Sequence, residues 1–267
     1  MSKRKAQWVG ILKDRDILWG LAKNDFKARY ATSFLGVSWA FVQPLVMILV
    51  MWFIFQVGLR NEPVEGQPFI VWFIPAYLAW SYFSDAFTST TNSFREYEYL
   101  LKQVNFRVGI IPIIKILSST FVHVVFVLFM YFVLAVNKVS ITFYSVQVVY
   151  YFICVFCLLI ALGILFATLN AFIPDIASFV SIAMTVGFWA APICWSPVDM
   201  ATPFVQTLLK LNPMYYVCQG YRDSFLVESF FWEQPTSMLI FWGEVILFYI
   251  VGRFLFKRTR PYLVDLL

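Results

Sequence analysis

The side chains that could do chemistry are the few ionisable ones lying inside otherwise apolar runs: Asp85, Lys115, His123 and Glu244. An ionisable group there is expensive, so it must pair, line a cavity or face another helix. Asp85 falls near the end of one apolar run and Lys115 near the start of the next, at matching depth, so an ion pair between them is expected. Lys115, Ser119 and His123 are spaced by four and form one polar stripe, which should look toward a bundle interior or cavity and not lipid. Glu244 has no sequence-local partner. A second group stands outside the runs. Between Arg15 and Tyr30, Lys23 and Lys27 lie on one helical flank and Leu18, Trp19, Ala22, Phe26 and Tyr30 on the other, with Asp25 and Arg29 as an i,i+4 pair at the edge of the apolar arc.

Those groups need a membrane scaffold. Of the 267 residues, 61% are hydrophobic and 13% charged, and the mean hydropathy is +0.76. A soluble domain has a different balance. The reading is an all-α integral membrane protein with six transmembrane helices, at about 35–59, 68–91, 109–136, 146–173, 177–195 and 236–256. Residues 1–34 make a tail and an interfacial amphipathic helix, and 257–267 a second tail. Of the 20 Lys and Arg residues, all but Arg60, Lys138, Lys210, Arg222 and the intramembrane Lys115 fall on one side. The positive-inside rule therefore puts both termini of this multi-pass membrane protein in the cytoplasm. No signal peptide is evident. Residues 196–237 are too apolar for a free loop and too broken by proline to span, which suggests short re-entrant helices dipping in from outside.

Several functions are disfavoured. The net charge of +5 is small and sits beside spans, so nucleic acid is a poor partner. Cys154 and Cys157 form C-x-x-C within an apolar run, which suits buried thiols better than a metal or redox pair. Cys194 and Cys218 fall in the outer region, leaving a disulfide between them open. There is no G-x-x-x-x-G-K-[ST] loop to cradle phosphates, and no catalytic constellation stands in a loop. Small-residue seams at Gly163, Ala167 and Ala171, and at Ala183, Gly187 and Ala191, imply close helix packing. Aromatic residues make up 20% of the chain. Trp80, Tyr82, Phe83, Phe188 and Trp189 are the candidates for lining a conduit in which rings stack on sugars.

Three motifs carry a family resemblance: Asp25-Phe-Lys-Ala-Arg-Tyr-Ala-Thr-Ser-Phe-Leu-Gly36 followed by Trp39 and Gln43-Pro44; Leu169-Asn170 to Pro174-Asp175; and Leu211-Asn212-Pro213-Met-Tyr215-Tyr216 running to Gly220-Tyr-Arg222-Asp223. Together they resemble the membrane subunits of ABC exporters for cell-surface polysaccharides, which move lipid-linked O-antigen, capsule or wall teichoic acid. The third motif, with Ile113 to His123, looks closest to the teichoic acid branch. One departure is Pro174, where the family usually has arginine.

The resemblance implies a homodimer with two separate cytoplasmic ATPase subunits, which would bind ATP and Mg; this chain itself would hold no cofactor or metal. It implies docking of the ATPase through residues 92–108, with Arg95, Tyr97, Tyr99 and Lys102 in contact, and through Asp175. It also implies that the amphipathic helix admits an undecaprenyl-pyrophosphate-type polymer, with Lys27, Arg29 and Tyr30 near the head group. A drug or small-lipid ABC permease is the alternative, and an integral membrane transferase a more distant one.

Overall fold

A computed structural model describes residues 15–59, 63–64, 66–101, 108–196, 202–227 and 229–263. Among them the chain is helical, apart from one isolated bridge between Val64 and Gln67. In chain order the α-helices are α1 (Arg15–Tyr30), α2 (Trp39–Trp52), α3 (Phe69–Thr91), α4 (Ser93–Glu96), α5 (Glu98–Leu101), α6 (Ile111–Val136), α7 (Val148–Phe172), α8 (Asp175–Ala190), α9 (Pro203–Lys210), α10 (Pro213–Leu226) and α11 (Pro235–Thr259). Lys102 and the tails 1–14 and 264–267 lie outside the described residues.

Among the described residues four helical stretches are long and apolar enough to cross a membrane: Gly36–Gly58, Val108–Val136, Phe143–Phe172 and Pro235–Tyr262. The first gains its length by adding a π-helical segment, Phe53–Gly58, to α2. α3 has 23 residues, about 35 Å of helix at 1.5 Å per residue, but dilutes its apolar content with Ser, Thr and Asp. It is instead the centre of the core. Trp72, Phe73, Ile74, Ala76 and Ala79 are almost wholly enclosed, and α3 packs on α6, α7, α8 and α10.

The fifth apolar run forms a shorter helix than 177–195. α8 starts at Asp175 and stops at Ala190, because Ala191 precedes Pro192 and takes extended backbone (ψ 145°). The pyrrolidine ring disfavours helix in the residue before it. After α8, α9 and α10 each begin with proline at the first helical position, capped by Thr202 and Asn212. α10 sits so close to α7 that a Cβ on Gly220 would collide with the Tyr151 ring. All four cysteines are free thiols, so Cys194 and Cys218 are not bridged.

α1 docks on α6 by a stripe that differs from the expected apolar flank. Leu18, Ala22 and Asp25 are the buried residues, whereas Trp19 is half exposed and edges against Phe121. The carboxylate belongs to the buried stripe because α6 supplies its counter-charge. Beside it, Phe94, Ile111, Ala171, Phe256 and Leu263 form a separate cluster that joins α4, α6, α7 and the end of α11.

Candidate functional site

A cavity of about 720 Å³ lies between the end of α1, α2, α3, α6 and α8. Trp80, Tyr82, Phe188 and Trp189 line it; Phe83 does not. One turn beyond Trp80, Phe83 points into the core, where it is 4% exposed and stacks on Phe87. Between the rings stand hydroxyls and amides: Ser81, Ser84 and Thr88 from α3, Ser119 from α6, Ser181 and Thr185 from α8, and Gln43 from α2. Such a wall offers flat apolar faces and dispersed hydrogen-bonding groups to whatever passes. The wall depends on Gly187: a Cβ there would stand 2.7 Å from the Trp80 ring, so only glycine lets α8 rest on that indole.

His123 also lines the cavity. Its Nε2 lies 2.9 Å from the Tyr221 hydroxyl and its ring stacks on Tyr82 at 4.5 Å, while Tyr82 bonds Thr120 at 2.9 Å. The histidine therefore ties α10 to α6 and α3.

At the α1 end of the cavity the charged residues form a knot. Asp85 and Lys115 are not paired. Matching depth along two helices says nothing of their rotation about the axes, and each finds another partner. Lys115, 3% exposed, donates to Asp25 at 2.6 Å and also pairs with Glu96. Its ammonium stands 5.0 Å from the Tyr97 ring centre, and the Tyr97 hydroxyl donates to Asp25 at 2.8 Å.

Arg29 bonds protein through all three of its nitrogens. Nε donates to Asp25 at 3.0 Å, Nη1 to Asp85 and to the Ser119 hydroxyl at 3.3 Å each, and Nη2 to the Lys115 carbonyl at 3.4 Å. Burial works against the Asp25 carboxylate, but Arg29 and Lys115 outweigh it and hold its pKa below the ordinary 3.8. Burial first, then the Asp25 carboxylate as acceptor, pushes the Tyr97 hydroxyl well above its usual range. Tyr30 lines the cavity mouth, and Lys27 is exposed on the outer flank of α1.

The segment 93–101 makes internal bonds that the sequence concealed. Arg95 donates to the carbonyls of Asn170 (2.9 Å) and Ala171 (3.5 Å), satisfying the open end of α7. Asn170 returns a bond to the Thr91 carbonyl at 3.0 Å. Arg95 thus fastens one connection to the other, and Tyr97 faces inward. Tyr99, 60% exposed, and Asp175, exposed at the start of α8, point outward.

Comparison with known proteins now decides what this scaffold belongs to. The family profile described as "ABC-2 type transporter" matches residues 17–226. The chain belongs to the ABC-2 type transporter family. Two proteins of Klebsiella pneumoniae, each named "O-antigen export system permease protein RfbA", are 26% and 23% identical to it, both covering 94% of the chain and 95% of the relative. A protein of the same name from Myxococcus xanthus is 25% identical over 88% of the chain and 92% of its own length. An ABC-2 type transporter permease is an integral protein of the cytoplasmic membrane, and its ATPase is a separate subunit.

Within this ABC-2 type transporter, sequence reasoning missed Glu96, Tyr221 and above all Arg222. Arg222, 1% exposed, lies with its guanidinium 3.5 Å from the centre of the Trp72 ring. It donates to the carbonyls of Trp72 (3.1 Å) and Ile193 (2.8 Å) and to the Gln219 side chain (3.4 Å). The available signal was Arg222 and Gln219 at i,i+3 on one face of α10. Glu244 remains apart: one of its carboxylate oxygens is buried and has no hydrogen-bond partner among the described residues.

Proposed function

We propose that this chain is the membrane-spanning subunit of an ATP-driven exporter that moves a lipid-linked cell-surface polysaccharide across the cytoplasmic membrane. The observation that carries the reading is the cavity walled by Trp80, Tyr82, Phe188 and Trp189 with hydroxyls between them, inside an ABC-2 fold. Aromatic faces accept successive sugar rings without demanding one sugar, and dispersed hydroxyls exchange hydrogen bonds as the rings advance. Relatives named for O-antigen export support the substrate class; within it, the motif resemblance favours a wall teichoic acid.

In this reading six helices span the membrane, with both termini in the cytoplasm. α3 crosses within the protein core, and α8 reaches most of the way. α9 and α10 dip into the outer leaflet and close the outer side. Two copies assemble so that their open cavities face a common path, and two cytoplasmic ATPase subunits holding ATP and Mg dock on the inner connections through Tyr99, Asp175 and the region of Lys102. The head group, a pyrophosphate on a polyprenyl chain, arrives beside α1 near Lys27, Arg29 and Tyr30, since guanidinium and ammonium groups suit phosphate oxygens.

The test is to purify the chain with candidate ATPases from its own cell and reconstitute the complex in vesicles. A stable complex whose ATP hydrolysis rises with a polyprenyl-diphosphate-linked oligosaccharide is expected. Hydrolysis that instead answers only to drugs or short lipids would replace the polymer with a small molecule, and the absence of any complex would end the exporter reading.

A further inference from the structure

All three nitrogens of the Arg29 guanidinium bond protein, yet its two carboxylate partners are unequal. Asp25 is 4% exposed and also held by Lys115 and Tyr97. Asp85, on α3 and 56 residues away in sequence, is 52% exposed, and it lines the cavity mouth with Tyr30 and Ser119. An ion pair with one member that exposed is screened by water and contributes little. The Asp25 side is enclosed and locked from several directions. Whatever competes for Arg29 will therefore displace Asp85 and leave Asp25 in place.

We propose that the Arg29–Asp85 pair is a latch across the inner mouth of the cavity, opened when a diphosphate group takes over the guanidinium from Asp85. This deepens the exporter reading and rests on it, by stating how the head group gains the site. A diphosphate carries more charge than one carboxylate and presents paired oxygens that match the guanidinium fork. The latch joins α1 to α3, so opening it frees α1 from the helix that carries Trp80 and Tyr82. Lys27, exposed on the outer flank of α1, adds positive charge to the approach. Asp25 keeps Lys115 and Tyr97 as partners when the guanidinium turns toward the diphosphate.

The closing experiment measures binding of farnesyl diphosphate, and separately of inorganic pyrophosphate, to the complex with its ATPase in lipid nanodiscs. Removing the competitor should tighten binding: Asp85→Asn lowers the farnesyl diphosphate Kd about threefold or more, while Asp85→Glu restores the wild-type value. Arg29→Gln raises it at least tenfold. Because Arg29→Gln disturbs the knot around Asp25, the contrast between Asp85→Asn, which tightens binding, and Asp85→Glu, which keeps the wild-type value, carries the decision. A Kd in Asp85→Asn equal to or weaker than wild type overturns the latch while leaving the exporter reading intact. Failure of the wild-type complex to bind either probe or to hydrolyse ATP in response to a lipid-linked oligosaccharide removes both. A gain seen with farnesyl diphosphate alone identifies a lipid head group as the key; an equal gain with pyrophosphate identifies a free diphosphate.

Discussion

α3 is gripped by an arginine near each end, and the two grips are built differently. Near one end Arg29 reaches Asp85, a half-exposed carboxylate facing a cavity. Near the other Arg222 lies on the Trp72 ring and bonds backbone carbonyls, almost without exposure. A guanidinium held by a wet carboxylate can change partners. One stacked on an indole and sealed from water cannot do so without unfolding its surroundings. The same residue type thus makes a releasable contact at one end and a permanent one at the other.

The largest expected effect breaks the permanent grip. Arg222→Ala removes the cation over Trp72 and leaves two buried carbonyls short of a donor, a loss on the order of 3 kcal/mol. Purified protein should aggregate or melt well below wild type by tryptophan fluorescence, and retention of the wild-type melting temperature would show that the contact is dispensable.

Next comes the hub of the other end. Lys115→Met leaves the buried Asp25 carboxylate with only Arg29 and Tyr97 to hold it, a loss of about 2 kcal/mol for the missing charged hydrogen bond. Adding Asp25→Asn should recover much of that loss, and a double-mutant cycle that sums without coupling would refute the pairing.

Acid probes the same hub. The folded Asp25 carboxyl titrates below 3.8, its unfolded value, so the stability it confers is complete above that pH and drains away as pH falls through the lower folded value. Asp25→Asn should be less stable near neutrality and show a flatter acid limb in melting temperature against pH.

The smallest effects separate two neighbouring tyrosines. Tyr97→Phe loses one hydrogen bond to a buried carboxylate, about 1.5 kcal/mol. Tyr99→Asp should leave stability within about 0.5 kcal/mol yet uncouple ATP hydrolysis from export in vesicles. Intact coupling would take Tyr99 out of the docking surface.

How much was legible follows from what repeats along a chain. Helix limits could be read from apolar runs: α6, α7 and α11 begin and end within a few residues of the expected spans. The four-residue spacing of Lys115, Ser119 and His123 could be read as one face, and all three are buried. The partner of Lys115 could not. Depth is written in sequence position, but which helix stands opposite depends on packing angles that no single segment encodes. Phe83 was misplaced for a related reason, since membership of an aromatic cluster does not say which members face the cavity. Arg222 counted as an outer-side cation because its stretch, 196–237, is broken by proline and reads as short re-entrant helices whose packing partner the sequence does not name. Only the docking of α10 on α3 makes it an interior residue.

The Arg95 bonds to Asn170 and Ala171, with Asn170 reaching back to Thr91, have a mechanical meaning. They weld two connections far apart in sequence into one plate carrying the ends of α3 and α7. In the proposed docking, a push by the ATPase on either Tyr99 or Asp175 would become a push on the plate. The rods attached to it would then tilt together, in the manner of a rocker with two arms, without waiting for a signal to creep from one loop to the next.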